Sequence, residues 1–268
     1  MIKIHVFHTG SVRVDRAIPY KEANPFAVTG LFRSKDKKIV LPVSCYLIEH
    51  PKGRILIDTG WDSKYIAEKP HRFFGLLDNM STPIVKEGQS IDCKLAKLGL
   101  TDRDIDYIFF SHMDFDHTSG LRLVQNAKHI MASEEEIKDS KKYFFRYVKT
   151  NWDFSNIKGF HYDNTGIGPV GKSFDVFGDG SVVLVNTPGH TNGLFTAIIK
   201  NDSHYVALAG DTVYTQKSWE DKIIPGFTVN KKLAQKSLHW ICSLVEDPNC
   251  IAVLANHDPK IKEQIIEL

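Results

Sequence analysis

Residues 111–120 read SHMDFDHTSG and place His112, Asp114, Asp116 and His117 directly after the apolar run YIFF at 107–110. Imidazole and carboxylate are the donors that bind zinc, manganese and iron. A short apolar run before them reads as a buried strand, so the cluster sits at the C-terminal end of a strand. Alone, the HxDxDH pattern is a modest signal. A histidine satisfied by a neighbouring aspartate in a charged loop is the commoner arrangement.

Recurrence changes the weighing. VVLVNTP precedes His190, YVALAG precedes Asp211 and IAVLA precedes His257. Strands of one layered structure that end at one edge deliver their terminal residues to one place. Unrelated structural histidines have no reason to occupy such ends repeatedly.

The rest of the chain sets the frame. Its 268 residues suit one large layered domain spanning 1–268, with no Pro-, Gly- or Ser-rich linker to divide it. With 34 basic against 32 acidic residues the charge is nearly balanced, which argues against a nucleic-acid or anionic-membrane partner. The N-terminal MIKIHVFHTG alternates and lacks a signal-peptide core. No segment approaches the ~18 consecutive apolar residues of a membrane span. Cys45, Cys93, Cys242 and Cys250 show no CxxC spacing and read as free thiols. The expectation is a reduced, cytoplasmic protein.

Strands are expected at 2–7, 38–48, 54–60, 107–112 and 128–133, then in SFDVF, SVVLVNTPGH, LFTAIIK, HYVALAGD and CIAVLANH. Helices are expected at 93–100, over GLRLVQNA and from Glu134 with Ser133 as N-cap. Another runs through TVNKKLAQKSLHWICSLVED before Pro248, and the last follows His257. Strands in groups with helices beside them, rather than strict alternation, predict two mixed sheets with helices outside. The aromatic-rich segments 61–92 and 143–171 lack a clear period and read as loops covering a site.

The set HxDxDH, TPGHT, AGD and NHD resembles the metallo-β-lactamase superfamily in order and spacing, over most of the chain. The resemblance implies an α/β fold, a four-layer αββα sandwich with two divalent metal ions (Zn, Fe or Mn) at one edge. It implies His112, His190 and Asp114 around the first metal and Asp116, His117 and His257 around the second, with Asp211 bridging. Asp58 in ILIDTG resembles the strand-end aspartate that orients a ligating histidine. Tyr214, three residues after Asp211, resembles the tyrosine of the N-acyl-homoserine lactonases.

Asp114 departs from the pattern, which usually carries histidine there. A carboxylate is a harder ligand and leaves the two-metal site neutral rather than singly positive. Asp is also shorter than Glu or His, so it reaches a metal only with a shift of the backbone or through a water; the alternative to ligation is a weakened first site. The activity implied is hydrolysis of a small ester or lactone by a metal-bridging hydroxide, with Asp116 orienting the nucleophile and Tyr214 donating to the developing oxyanion. Phe73, Phe74, Phe144, Phe145, Trp152 and Phe154 are candidates for an apolar acyl pocket. A thioester or phosphodiester hydrolase of the same fold, or a non-catalytic metal-binding module, remains open.

Overall fold

The opening alternation builds one long strand, β1 (Lys3–Asp15), in a computed structural model that describes residues 1–66, 80–143, 146–153 and 155–268. It is followed by β2 (Lys38–His50), β3 (Gly53–Ile57), β4 (Ser81–Ile84), helix α1 (Ile91–Lys97), β5 (Tyr107–Phe109) and the single turn α2 (Phe115–Thr118). Next come β6 (His129–Ser133), α3 (Glu134–Lys142), β7 (Lys158–Phe160), β8 (Asp163–Asn164), β9 (Lys172–Asp175) and β10 (Val182–Asn186). The chain closes with β11 (Phe195–Asn201), β12 (His204–Gly210), α4 (Gln216–Glu220), α5 (Lys231–Glu246), β13 (Cys250–Ala255) and β14 (Gln264–Glu267).

Among the described residues these strands form two mixed sheets. The first runs β14-β1-β2-β3-β5-β6-β7, with β4 also on β1, and the second runs β13-β12-β11-β10-β9-β8. The period-2 geometry of strands shows in β3: Ile55 and Ile57 enter the core between the sheets, with Val182, Leu184, Phe195 and Leu208. Leu56 points the other way, into a second core with Ile91 and Leu95 of α1 and with Ile108 and Ile130. On the far side, Ala234, Leu238 and Ile241 of α5 pack with Ala209 and Ala255 of the second sheet. Helix, sheet, sheet and helix therefore stack in the αββα order that the resemblance implies.

Strand direction decides where the polar ends meet. β3 and β5 are parallel neighbours, so Asp58 and the 111–120 stretch leave the first sheet at one edge. In the second sheet β12 and β13 are parallel, and β10 reaches the same sense through antiparallel β11. The residues after Asn186, Gly210 and Ala255 thus emerge together.

Three local expectations are corrected. Segments 61–92 and 143–171, read as loops, carry the short strands β4, β7 and β8. Residues 119–124 form a 3-10 segment rather than an α-helix, because Ser119 and Gly120 lie against the first sheet, where the Gly120 N–H donates to the Gly60 carbonyl at 2.7 Å. The C-terminus is strand β14 rather than a helix: its β-branched pair Ile265–Ile266 completes the edge of β1, register Ile4 to Ile266. The Ser133 cap is present, its hydroxyl accepting the Glu136 N–H at 3.2 Å. No helix among the described residues is long and apolar enough to cross a membrane.

Candidate metal centre

Asp58 ends β3 in the left-handed region, φ 61°, which turns its carboxylate back over the strand ends. One oxygen accepts the Ser111 N–H at 2.7 Å; the other accepts the Ser111 hydroxyl at 2.7 Å and meets His117 Nδ1 at 2.8 Å. With Nδ1 so engaged, His117 presents Nε2 outward. His257 repeats the device through Nδ1 and the Pro42 carbonyl at 2.8 Å, and His112 Nδ1 lies 3.1 Å from the Ser111 hydroxyl. The Asp114 carbonyl closes the turn that follows, accepting the His117 N–H at 3.1 Å.

His190 is set by the PGH turn. Gly189 has φ 145°, and a Cβ there would lie 2.3 Å from backbone atoms of Ala234 in α5. Glycine is required for that approach. Both histidine-bearing loops are tied to buried Glu136 of α3, whose carboxylate accepts the Met113 N–H and the Gly193 N–H, each at 3.1 Å. Nothing in the sequence distinguishes Glu136 from an ordinary acid in a helix's first turn.

The strand ends bring six residues into two groups, His112 with His190 and Asp211, and Asp116 with His117 and His257; within each group the ligand atoms lie within 4.8 Å of one another. Asp211 faces both groups with separate oxygens. Oδ1 is 3.4 Å from His117 Nε2 and 3.2 Å from His257 Nε2, while Oδ2 is 3.9 Å from His112 Nε2 and 3.7 Å from His190 Nε2. The buried Nε2 atoms of His112, His117 and His257, and Asp211 Oδ1, have no hydrogen-bond partner. Buried polar atoms are normally satisfied, and lone pairs converging from imidazoles and a shared carboxylate are what divalent cations satisfy. The donor set fits a metal pair. Although burial opposes ionisation, His257 and His117 hold the Asp211 carboxyl well below the usual carboxylate range.

Asp114 belongs to neither group. Its Oδ2 lies 3.5 Å from His112 Nε2 and 3.0 Å from His190 Nε2, but Arg146 grips both carboxylate oxygens, Nε to Oδ1 and Nη2 to Oδ2, each at 2.6 Å. The same guanidinium donates from Nη1 to the His190 carbonyl at 3.0 Å and places Nη2 2.9 Å from His190 Nε2. Against burial, Arg146 keeps the Asp114 carboxyl well below its ordinary range. Burial first, and then the Arg146 charge, lower His190 to about 4. Arg146 stands in the period-free segment 143–171, where the sequence carries no signal for it.

Above the groups lies a pocket with apolar walls, among them Val12, Val14, Ile18, Met80 and Phe227, and a polar floor of Asp114, Asp116, Arg146 and Tyr214. The Tyr214 ring stacks on His257, centroids 4.9 Å apart at 20°. Burial, and then the Asp211 charge, push its hydroxyl well above the usual tyrosine range, so it stays a proton donor. Of the aromatic candidates for this pocket, Trp152 instead packs with Leu121 and Val124 in the core beside α1. Phe73, Phe74, Phe144, Phe145 and Phe154 lie outside the described residues.

Comparison with known proteins places these observations. The family model described as metallo-beta-lactamase superfamily matches residues 39–247. An N-acyl homoserine lactonase, AttM, of Agrobacterium fabrum is 29% identical over 82% of this chain and 82% of its own. An N-acyl homoserine lactonase of a Bacillus species is 28% identical over 81% of this chain and 82% of its own. A solved quorum-quenching N-acyl homoserine lactone hydrolase superposes with a TM-score of 0.74 at 25% identity, covering 96% of this chain and 93% of its own.

Proposed function

The chain belongs to the metallo-beta-lactamase superfamily and is a metal-dependent hydrolase, and on that premise we propose that its substrate is a small lactone of the N-acyl homoserine class. The observation that carries this reading is Asp211, which offers one oxygen to each of two histidine-containing groups beneath an apolar pocket. His112 and His190, with Asp114 beside them, would hold one divalent ion; Asp116, His117 and His257 would hold the other, with Asp211 shared. Imidazole and carboxylate donors suit zinc, iron or manganese. When bound, such ions supply Lewis acidity to a carbonyl and activate water at neutral pH.

The chain's own residues do the rest. The wall of Val12, Val14, Ile18 and Met80 takes the acyl chain and keeps bulk water from it. Asp116 presents its carboxylate at the pocket floor, where it orients the attacking water. Tyr214 donates its O–H to the oxygen that gains charge as the carbonyl carbon becomes tetrahedral. The ring C–O bond then breaks, and the leaving alkoxide takes the proton that the attacking water gave up, so that one water is added and the open hydroxy acid is released. The four cysteines form no disulfide, which supports a reducing, cytoplasmic setting.

The test is a panel of N-acyl homoserine lactones of graded chain length, simple lactones, thioesters and phosphodiesters, assayed with protein of known zinc, iron or manganese content. Lactone opening by the fully loaded protein, lost with the metal, is the expected result. Turnover confined to thioesters or phosphodiesters overturns the substrate assignment.

A further inference from the structure

Arg146 alters what Asp114 means for the site. The resembling pattern places an uncharged imidazole where this chain has a carboxylate, and the fold lays a guanidinium across that carboxylate with both of its oxygens engaged at 2.6 Å. We propose that Asp114 and Arg146 act as one neutral unit in the place of that imidazole, making Arg146 a positioning residue that sets how firmly the His112–His190–Asp211 group holds a cation. The proposal rests on the metal-site reading of that group.

The geometry supports a unit rather than two independent residues. The Arg146 side chain is 4% exposed, and among the described residues Asp114 is the carboxylate it pairs with. It also meets the His190 carbonyl, His190 Nε2, the face of Phe227 with the ring centroid 4.5 Å from the guanidinium carbon, and the Tyr147 ring at 5.9 Å. A buried ion is tolerated only with its counter-ion, so losing Asp114 alone leaves an uncompensated cation beside the metal group. The sum of the two charges is zero. The site therefore regains the charge of the histidine pattern, although its sequence carries one more acid.

An inverted expectation follows. Asp114→His, read from sequence alone, restores the common pattern, raises the site's charge by one and does not empty the site. With Arg146 in place it instead leaves a buried cation facing His190 and the new imidazole, and that cation repels a metal ion.

The experiment is a double-mutant cycle on the full chain: wild type, Asp114→His, Arg146→Met and the double variant. Each protein is loaded with Zn²⁺ or Mn²⁺ and dialysed against graded chelator, and metal per chain is counted by mass spectrometry. The two substitutions share a contact, so strong coupling is expected. Asp114→His should lose an ion at about tenfold lower chelator than wild type, and the double variant should return to within about threefold. Additive effects, or Asp114→His holding metal as firmly as wild type, overturn the proposal. Should either single variant fail to fold, the double variant carries the test: one that is unfolded or metal-poor also overturns it. Absence of lactone turnover with the coupling intact would sink the substrate assignment alone; absence of metal from wild type would sink the metal reading beneath both.

Discussion

Asp58 holds His117 through Nδ1 at 2.8 Å, and His117 Nε2 consequently faces Asp211 Oδ1 at 3.4 Å. A carboxylate thus fixes both the ring orientation and the tautomer of a histidine in the second group.

That relationship predicts the effect of Asp58→Asn. Asparagine tolerates the left-handed backbone at this position, so the turn should survive. The charge facing Nδ1 disappears, and metal affinity should fall by roughly 10–100-fold, as is typical when a ligand's orienting partner is removed. Chelator competition measures it; an unchanged competition curve would reduce Asp58 to a structural turn residue.

His190→Ala and Asp211→Asn should each lower metal content together with activity. His190 enters one group and Asp211 faces both, so Asp211→Asn should be the more severe. Full metal occupancy in either variant would remove that residue from the ligand set.

Tyr214→Phe should keep metal content and thermal stability and slow lactone turnover. Loss of a single oxyanion donor costs about 10²–10³ in kcat where no other group shares the task, and metal ions sharing it should make the loss smaller. Its ring stack on His257 needs no hydroxyl, which makes phenylalanine the clean substitution. Unchanged kcat and KM would leave Tyr214 as packing alone.

The pocket wall predicts chain-length preference. Ile18→Phe narrows the space beside Met80 and Tyr214 and should raise KM for long acyl chains while sparing short ones. Discrimination of about 10–200-fold per methylene is the upper range for an apolar pocket. Parallel changes across all chain lengths would place the acyl chain elsewhere.

Acid stability should depend on Asp15 and Arg33. The Asp15 side chain is buried and receives Arg33 Nε at 3.0 Å and Nη2 at 2.8 Å. Burial alone would raise its pKa, yet the Arg33 bonds and the Ala17 N–H bring it below the ordinary carboxylate value. Folding therefore favours the ionised form: the stabilisation is present above the unfolded pKa, about 4, and is lost as pH falls through the folded value. Arg33→Met should lower the urea midpoint at neutral pH and flatten its decline in acid. A decline parallel to wild type would exclude this pair as the cause.

Much of the site was legible because it is made of strand ends. An apolar run followed by His or Asp is a local pattern, and YIFF–SH, VVLVNTPGH, YVALAGD and IAVLANH each carry it. The sheets and the α5 helix, which is capped by the Asn230 side chain at 3.1 Å, follow from equally local periodicity. Asp58 was placed by the resemblance of ILIDTG to the family's strand-end aspartate rather than by pattern alone. The partners of these residues were another matter. Arg146 reaches Asp114 across 32 residues from a segment without period, and Glu136 joins two loops 57 and 23 residues away. The C-terminal strand likewise exists because β1 offers an open edge at the opposite end of the chain. Sequence determined which side chains arrive at the edge of the sandwich, since period and strand length act within a few residues. Only the tertiary structure decided which charges meet there, because burial pairs charges through space and leaves no trace in spacing.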